Sequence, residues 1–253
     1  MWIVWAKLRL LVLGCLALCV LAACTEEPPE GPPETDGLAI LTMGDSLLAW
    51  NSVEGRSVSH AIEARLGIDV TDRSVIGARM LYALPISGSL GLRIGAQYRN
   101  GPWDWVILNG GGNDLWLGCG CGACKAKIER LISEDGREGV VPELVQKLRA
   151  SGAKVIVPGY LRLPGRASPL KGCRAIGAAY EARLTAMAET DEGVIFVSNA
   201  DLVPKGDLSY HDIDRIHPSF KGSAAIGARI ARIIAGRQKP LDQDGYSKRD
   251  TLQ

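Results

Sequence analysis

Three histidines in 253 residues, His60, His211 and His217, leave few candidates for a general base. His217 has an acid three positions before it, Asp214, a spacing at which one turn can hold a carboxylate against an imidazole and polarise it. His211 has Leu208 at the corresponding place. His60 falls in a stretch of helical spacing and reads as a surface or half-buried structural residue. A base of this kind needs a hydroxyl to activate, because serine is a poor nucleophile until a neighbour removes its proton. Ser46 is the candidate. Gly44-Asp45-Ser46-Leu47 follows directly on the apolar run Leu38–Met43, where a strand turning into a helix exposes a hydroxyl and offers the helix's first amides to negative charge. Taken singly, these pieces also fit plainer readings: Gly, Asp and Ser make ordinary turns and helix caps, and Asp214 with His217 could be a surface pair.

The elements that must position these residues alternate along the chain. Leu38–Met43, Trp103–Asn109, Ala153–Pro158 and Val194–Ser198 are apolar runs of strand length, with Ile68–Val70 as a shorter one. Helical spacing is found over Ser57–Leu66, stopped by Gly67, over Val140–Ala150, stopped by Ser151-Gly152, and over Arg174–Ala188 and Ser219–Ala235. Strands separated by helices predict a parallel sheet covered on both faces, and ligands of such sheets collect at the carboxyl ends of the strands. Four segments are expected at those ends: Gly44–Leu47, the turn holding Gly77, Gly111-Gly112-Asn113-Asp114, and Asp214-Arg215-Ile216-His217-Pro218.

In this order the four segments resemble the SGNH (GDSL-type) hydrolases, over about Leu38 to Ala235. The first, third and fourth match closely; around the second, Ser74-Val75-Ile76-Gly77-Ala78 supplies the glycine without the surrounding pattern. The Gly-x-Ser-x-Gly elbow of ordinary α/β-hydrolases is absent, since Leu48 stands two places after Ser46. The resemblance implies a flavodoxin-like three-layer α/β/α sandwich with a central parallel sheet. It implies Ser46 as nucleophile, His217 as base and Asp214 as its partner. The Ser46 amide, the Gly77 amide and the Asn113 side chain would form an oxyanion hole, in which one lost donor costs about 3–4 kcal/mol of barrier. The implied activity is that of a serine esterase on small to medium acyl esters (a lysophospholipid, an aryl or alkyl ester, or an acetylated sugar) through an acyl-Ser46 intermediate, without metal or organic cofactor. Acyl transfer to an acceptor other than water is an alternative within the fold, and a non-catalytic envelope lipoprotein that binds glycan or lipid is the alternative outside it. Trp50 and Trp116 flank the first and third segments and suit either a substrate pocket or the core. Arg79 suits an anionic or sugar substrate, or an exposed loop.

The 29 basic and 28 acidic residues exclude a nucleic-acid binder read from bulk charge, and a hydrophobic content of 47% supplies a packed core. Lys7 and Arg9 precede an uncharged apolar run, Leu10–Leu21, of signal-peptide length and short of a membrane span. Its end, Leu21-Ala22-Ala23-Cys24, resembles the lipobox of bacterial lipoproteins, which implies cleavage before Cys24, a lipid anchor on its thiol and a place in the bacterial cell envelope. Thr25 is not the aspartate associated with inner-membrane retention, which points to the outer membrane, periplasmic face. Cleavage would remove Lys7 and Arg9 and no acid, turning a formal charge of +1 into −1. Thr25–Gly37 is acidic and Pro-rich and has nothing to bury, so it reads as a tether. The expected organisation is a signal peptide at 1–23, the tether at 24–37, the hydrolase domain at 38–236 and a polar tail at 237–253.

Cys15 and Cys19 fall in the signal, which leaves Cys119, Cys121, Cys124 and Cys173 in an oxidising setting. Two disulfides are expected, with three pairings open and a four-thiolate zinc site as the rival. A bridge from the cluster to Cys173 would pin two loops at the rim of the site. The sequence is silent on oligomeric state.

Overall fold

Strands covered on both faces need short runs free of charge, and the sheet is built almost wholly from such runs. The computed structural model describes residues 37–162 and 168–237. Its strands are β1 (Ile40–Met43), β2 (Val70–Asp72), β3 (Trp105–Leu108), β4 (Lys154–Pro158) and β5 (Val194–Val197). They form one sheet in the order β2-β1-β3-β4-β5, with every pair parallel. The main helices are α1 (Ser46–Ala49), α2 (Val58–Leu66), α3 (Gly112–Cys119), α4 (Lys125–Leu131), α5 (Val140–Ala150), α6 (Arg174–Ala188) and α7 (Phe220–Arg237).

Successive side chains on a strand point to opposite faces, and the core divides accordingly. Leu41, Met43, Val106, Leu108, Val155 and Val157 join Leu115, Ile128, Leu148 and Leu184, which places α3 to α6 on one face. Ile40, Trp105, Ile107 and Ile156 join Leu48, Ile62 and Ile230, which places α1, α2 and α7 on the other. Both clusters are drawn from residues between Leu38 and Ile234. The result is the three-layer α/β/α sandwich with the flavodoxin-like strand order. In that order the chain runs outward from β1 to one edge and from β3 to the other, opening a crevice between their carboxyl ends.

Three details differ from the sequence reading. β2 begins at Val70, the residue that pairs with Ile40 and is buried, while Ile68 precedes the strand half-buried. α3 and α4 occupy a Gly- and Cys-rich stretch with no helical pattern of its own. α7 starts at Phe220, one residue after Ser219, whose hydroxyl accepts from the Gly222 amide at 3.2 Å. The four cysteines pair as Cys119–Cys124 and Cys121–Cys173, which consumes the thiols a zinc site would need. The expected signal peptide, the Cys24 lipid site, the tether up to residue 36 and the tail after residue 237 lie outside the described residues.

Candidate active site

The chain leaves β1 at Met43 and turns at once into α1, so Ser46 stands at the first helical position, beside the crevice. The turn is tight because β1 and β3 end together. A side chain on Gly44 would come within 2.6 Å of the Asn109 carbonyl, so only glycine fits. Gln97 clamps this glycine from both sides, accepting from its amide at 2.6 Å and donating to its carbonyl at 2.9 Å. Asp45 caps α1 by accepting from the Leu47 amide at 3.0 Å and accepts a hydrogen bond from the Tyr160 hydroxyl at 2.6 Å. Burial pushes the Asp45 carboxyl up to about 6, although both of those bonds favour its charged form. Asp45 is therefore a buried brace under Ser46. α1 is a single turn, so what it offers negative charge is its first amides and not a sustained dipole.

The second arm comes from the loop before α7. His217 Nδ1 donates to Asp214 Oδ2 at 2.5 Å, which leaves Nε2 as the acceptor for the Ser46 hydroxyl at 2.9 Å. Asp214 also accepts from the amides of Ile216 and His217 at 2.9 and 3.0 Å, which the intervening Arg215 permits by adopting a left-handed φ of 58°. Burial disfavours the charge on Asp214, but the His217 ring and these two amides outweigh it and hold the carboxyl below the usual range. Trp50, which closes α1, lies flat on the imidazole, with ring centroids 3.8 Å apart and planes within 6°. Its indole N–H donates to Asp212 at 2.7 Å, and the Asp212 amide donates to the His217 carbonyl at 2.8 Å. Asn51 reinforces the contact by donating to the Pro218 carbonyl at 3.0 Å. Trp50 is thus the backing plate of His217.

The third group approaches from β2 and β3. Gly110 and Gly111 carry the chain out of β3 into α3, Gly111 with a φ of 95° that ordinary residues avoid. Two tyrosines grip this turn. The Tyr180 hydroxyl donates to the Gly110 carbonyl at 2.9 Å, and the Gly112 amide donates to the Tyr160 hydroxyl at 2.9 Å. Tyr160 therefore joins the turn before Asn113 to the turn before Ser46. Asn113 donates from its amide nitrogen to the Ala78 carbonyl at 3.1 Å, which sets it against the Gly77 turn and leaves one of its two hydrogens unspent. The same segment meets the nucleophile turn where the Val75 amide donates to the Gly44 carbonyl at 3.0 Å. Asp114 anchors it further, accepting from the Met80 and Leu81 amides at 2.9 and 2.8 Å. Ser46, Gly77 and Asn113 are thus brought to one crevice.

The remaining candidates fall elsewhere. His211 is buried, and neither ring nitrogen has a hydrogen-bond partner among the described residues. Burial lowers its proton affinity, and it stands outside the Ser46–His217–Asp214 chain. His60 Nδ1 contacts the Ser57 hydroxyl at 2.7 Å at the start of α2, a helix-capping arrangement. Trp116 is half-buried on α3. The Arg79 guanidinium lies over the Tyr82 ring at 5.9 Å.

Residues 42–225 match the GDSL-like Lipase/Acylhydrolase family. No curated protein matches the sequence. Among solved structures, a GDSL-like lipase from Bacteroides thetaiotaomicron is 20% identical, with a TM-score of 0.53 over 78% of this chain and 88% of that one. A carbohydrate acetylesterase family member from Sinorhizobium meliloti is 14% identical, with a TM-score of 0.56 over 79% of this chain and 98% of that one. A family two carbohydrate esterase from Clostridium thermocellum, solved in complex with cellohexaose, is 15% identical, with a TM-score of 0.56 over 81% of this chain and 66% of that one. At such identities the likeness is one of fold. The family match spans most of the chain, from the end of β1 into α7, so the protein belongs to the GDSL-like lipase/acylhydrolase family of enzymes that act on ester bonds.

Proposed function

We propose that the protein is a serine esterase that hydrolyses small to medium acyl esters through an acyl-Ser46 intermediate. The observation that carries the reading is the unbroken hydrogen-bond chain Ser46 Oγ, His217, Asp214, at 2.9 and 2.5 Å. His217 Nε2 takes the hydroxyl proton as Ser46 Oγ attacks the ester carbonyl. The charge that develops on the carbonyl oxygen is received by the Ser46 and Gly77 amides and the free hydrogen of the Asn113 side chain. The imidazolium, held by Asp214 and backed by Trp50, passes its proton to the departing alcohol. Water then repeats the sequence on the acyl-enzyme, with His217 again as base, and releases the acid.

Lysophospholipids, alkyl or aryl esters and acetylated sugars are the substrate classes that suit this chemistry. The two carbohydrate esterases among the structural relatives support the last of these as the first to assay. The test is turnover of p-nitrophenyl acetate, butyrate and octanoate by wild type and Ser46→Ala. Loss of about four orders of magnitude or more in the variant is expected, as for nucleophiles of other serine hydrolases. Equal background rates in both proteins would sink the esterase reading.

A further inference from the structure

Between Gly77 and β3 the chain makes an excursion whose outer part, residues 82–90, belongs to neither core cluster. From Met80 to Leu92 no residue is charged. The excursion rises through a single helical turn (Pro85–Ser87) and a wide turn (Gly88–Leu92). Along it Leu84, Ile86 and Leu90 are 63%, 80% and 78% exposed. Soluble proteins expose apolar side chains singly; three on one uncharged protrusion mark a contact surface.

The neck of the loop carries the opposite chemistry. Arg79 and Arg93 face each other there in a parallel bridge, tied by Arg79 N–H to the Leu92 carbonyl and Ile94 N–H to the Arg79 carbonyl, both at 2.9 Å. Neither guanidinium has a carboxylate partner within ion-pair distance among the described residues, and Arg79 Nε is buried without an acceptor. Asp114, held on the Met80 and Leu81 amides, offsets part of the Arg79 charge, while Arg93 is exposed, so the neck keeps a cationic surface that an external anion would stabilise. Tyr82, an amphipathic ring of the kind enriched at membrane interfaces, lies under Arg79. The neck also adjoins the site: Gln97, which clamps Gly44, donates to the Gly91 carbonyl at 2.8 Å.

We propose that the 80–92 loop is a membrane-docking element, whose tip enters the acyl layer of an anionic phospholipid surface while Arg79 and Arg93 meet the phosphates. An apolar tip above a cationic collar matches the layering of such a surface, apolar beneath and anionic at the headgroups. The inference goes beyond the esterase reading and does not rest on it.

The test is co-sedimentation of the chain from Thr25 onward, which keeps every residue of both core clusters, with vesicles of phosphatidylglycerol and phosphatidylcholine or of phosphatidylcholine alone. Binding to the anionic vesicles is expected. It should fall at least about tenfold in the triple variant Leu84→Ser, Ile86→Ser, Leu90→Ser, whose exposed positions leave the thermal melt as a folding control. Arg93→Gln should weaken binding about fivefold, as one basic residue at such a surface does. Absence of wild-type binding, or equal binding by the triple variant, would overturn the proposal. So would a triple variant that binds vesicles normally but loses self-association, which would make the loop a contact between copies. A loop that binds no vesicle, yet whose loss raises KM for the octanoate ester alone, would be an acyl-chain clamp instead.

Discussion

The two arms that meet at Ser46 are held in different ways. The nucleophile turn and the Asn113 turn grow from adjacent central strands and are locked to each other beneath the surface, Gln97 on Gly44 and Tyr160 between Asp45 and Gly112. The Asp214–His217 arm is a loop outside the sheet, and its ring is steadied largely by the two residues that follow α1, Trp50 and Asn51. One arm is set by the packing that holds the fold together. The other is set by a few contacts whose loss the fold would survive. Substitutions in the first arm should therefore register chiefly as stability, and in the second chiefly as turnover.

The sharpest way to break the first arm is Gly111→Ala. The new methyl would overlap the Tyr180 hydroxyl at a φ of 95°. Strain and overpacking together should cost about 4 kcal/mol, lowering the melting temperature by roughly 8–16 °C in a domain of this size. Differential scanning calorimetry reads this directly; an unchanged melt would mean that the turn is not braced.

Asp45 tests the same arm through pH. Its folded-state affinity for a proton is raised from 3.8 to about 6, so between those values the folded protein holds a proton that the unfolded chain has released. Rising pH across that window therefore favours unfolding, by about 3 kcal/mol from this group, and above it the slope vanishes. Denaturant titrations of wild type and Asp45→Asn from pH 4 to 7 should differ by that slope. Parallel curves would refute the buried, protonatable brace.

Trp50→Leu is the smallest effect and the most informative about the second arm. Losing the flat partner of His217 should lower kcat about tenfold with KM little changed, since an aromatic face against a charged ring is worth roughly 0.5–2 kcal/mol. The melt should move less than in Gly111→Ala. Trp50→Phe keeps a ring on the imidazole and loses only the bond to Asp212, so most of the rate should return. A KM effect in place of a kcat effect would make Trp50 a substrate contact.

The same division governs what could be read from the sequence. Ser46 beside Gly44 and Asp45, and His217 three places after Asp214, are local patterns, and the structure brings them together. The apolar runs of β1, β3, β4 and β5 likewise declared themselves. The braces did not, because each acts at long range: Gln97 reaches Gly44 across 53 positions, Tyr160 reaches Asp45 across 115, and Trp50 reaches Asp212 across 162. No spacing in the sequence distinguishes a tyrosine that staples two turns from one that fills a core. α3 escaped for a local reason, since its glycines and cysteines obscure the helical period that would have revealed it.

The cysteine pairing bears on how the chain matures. Cys119–Cys124 and Cys121–Cys173 interleave, each bridge having one end inside the loop closed by the other. Of these four cysteines, a chain oxidised as it emerges N-terminus first presents Cys119 and Cys121 before Cys124 and Cys173, and joining those two yields a pattern the folded protein does not contain. Reaching the native pattern from there requires a thiolate to attack and reshuffle the first bridge. Biogenesis would then depend on an isomerase as well as an oxidant, and a host able only to form bridges in order would accumulate mispaired protein.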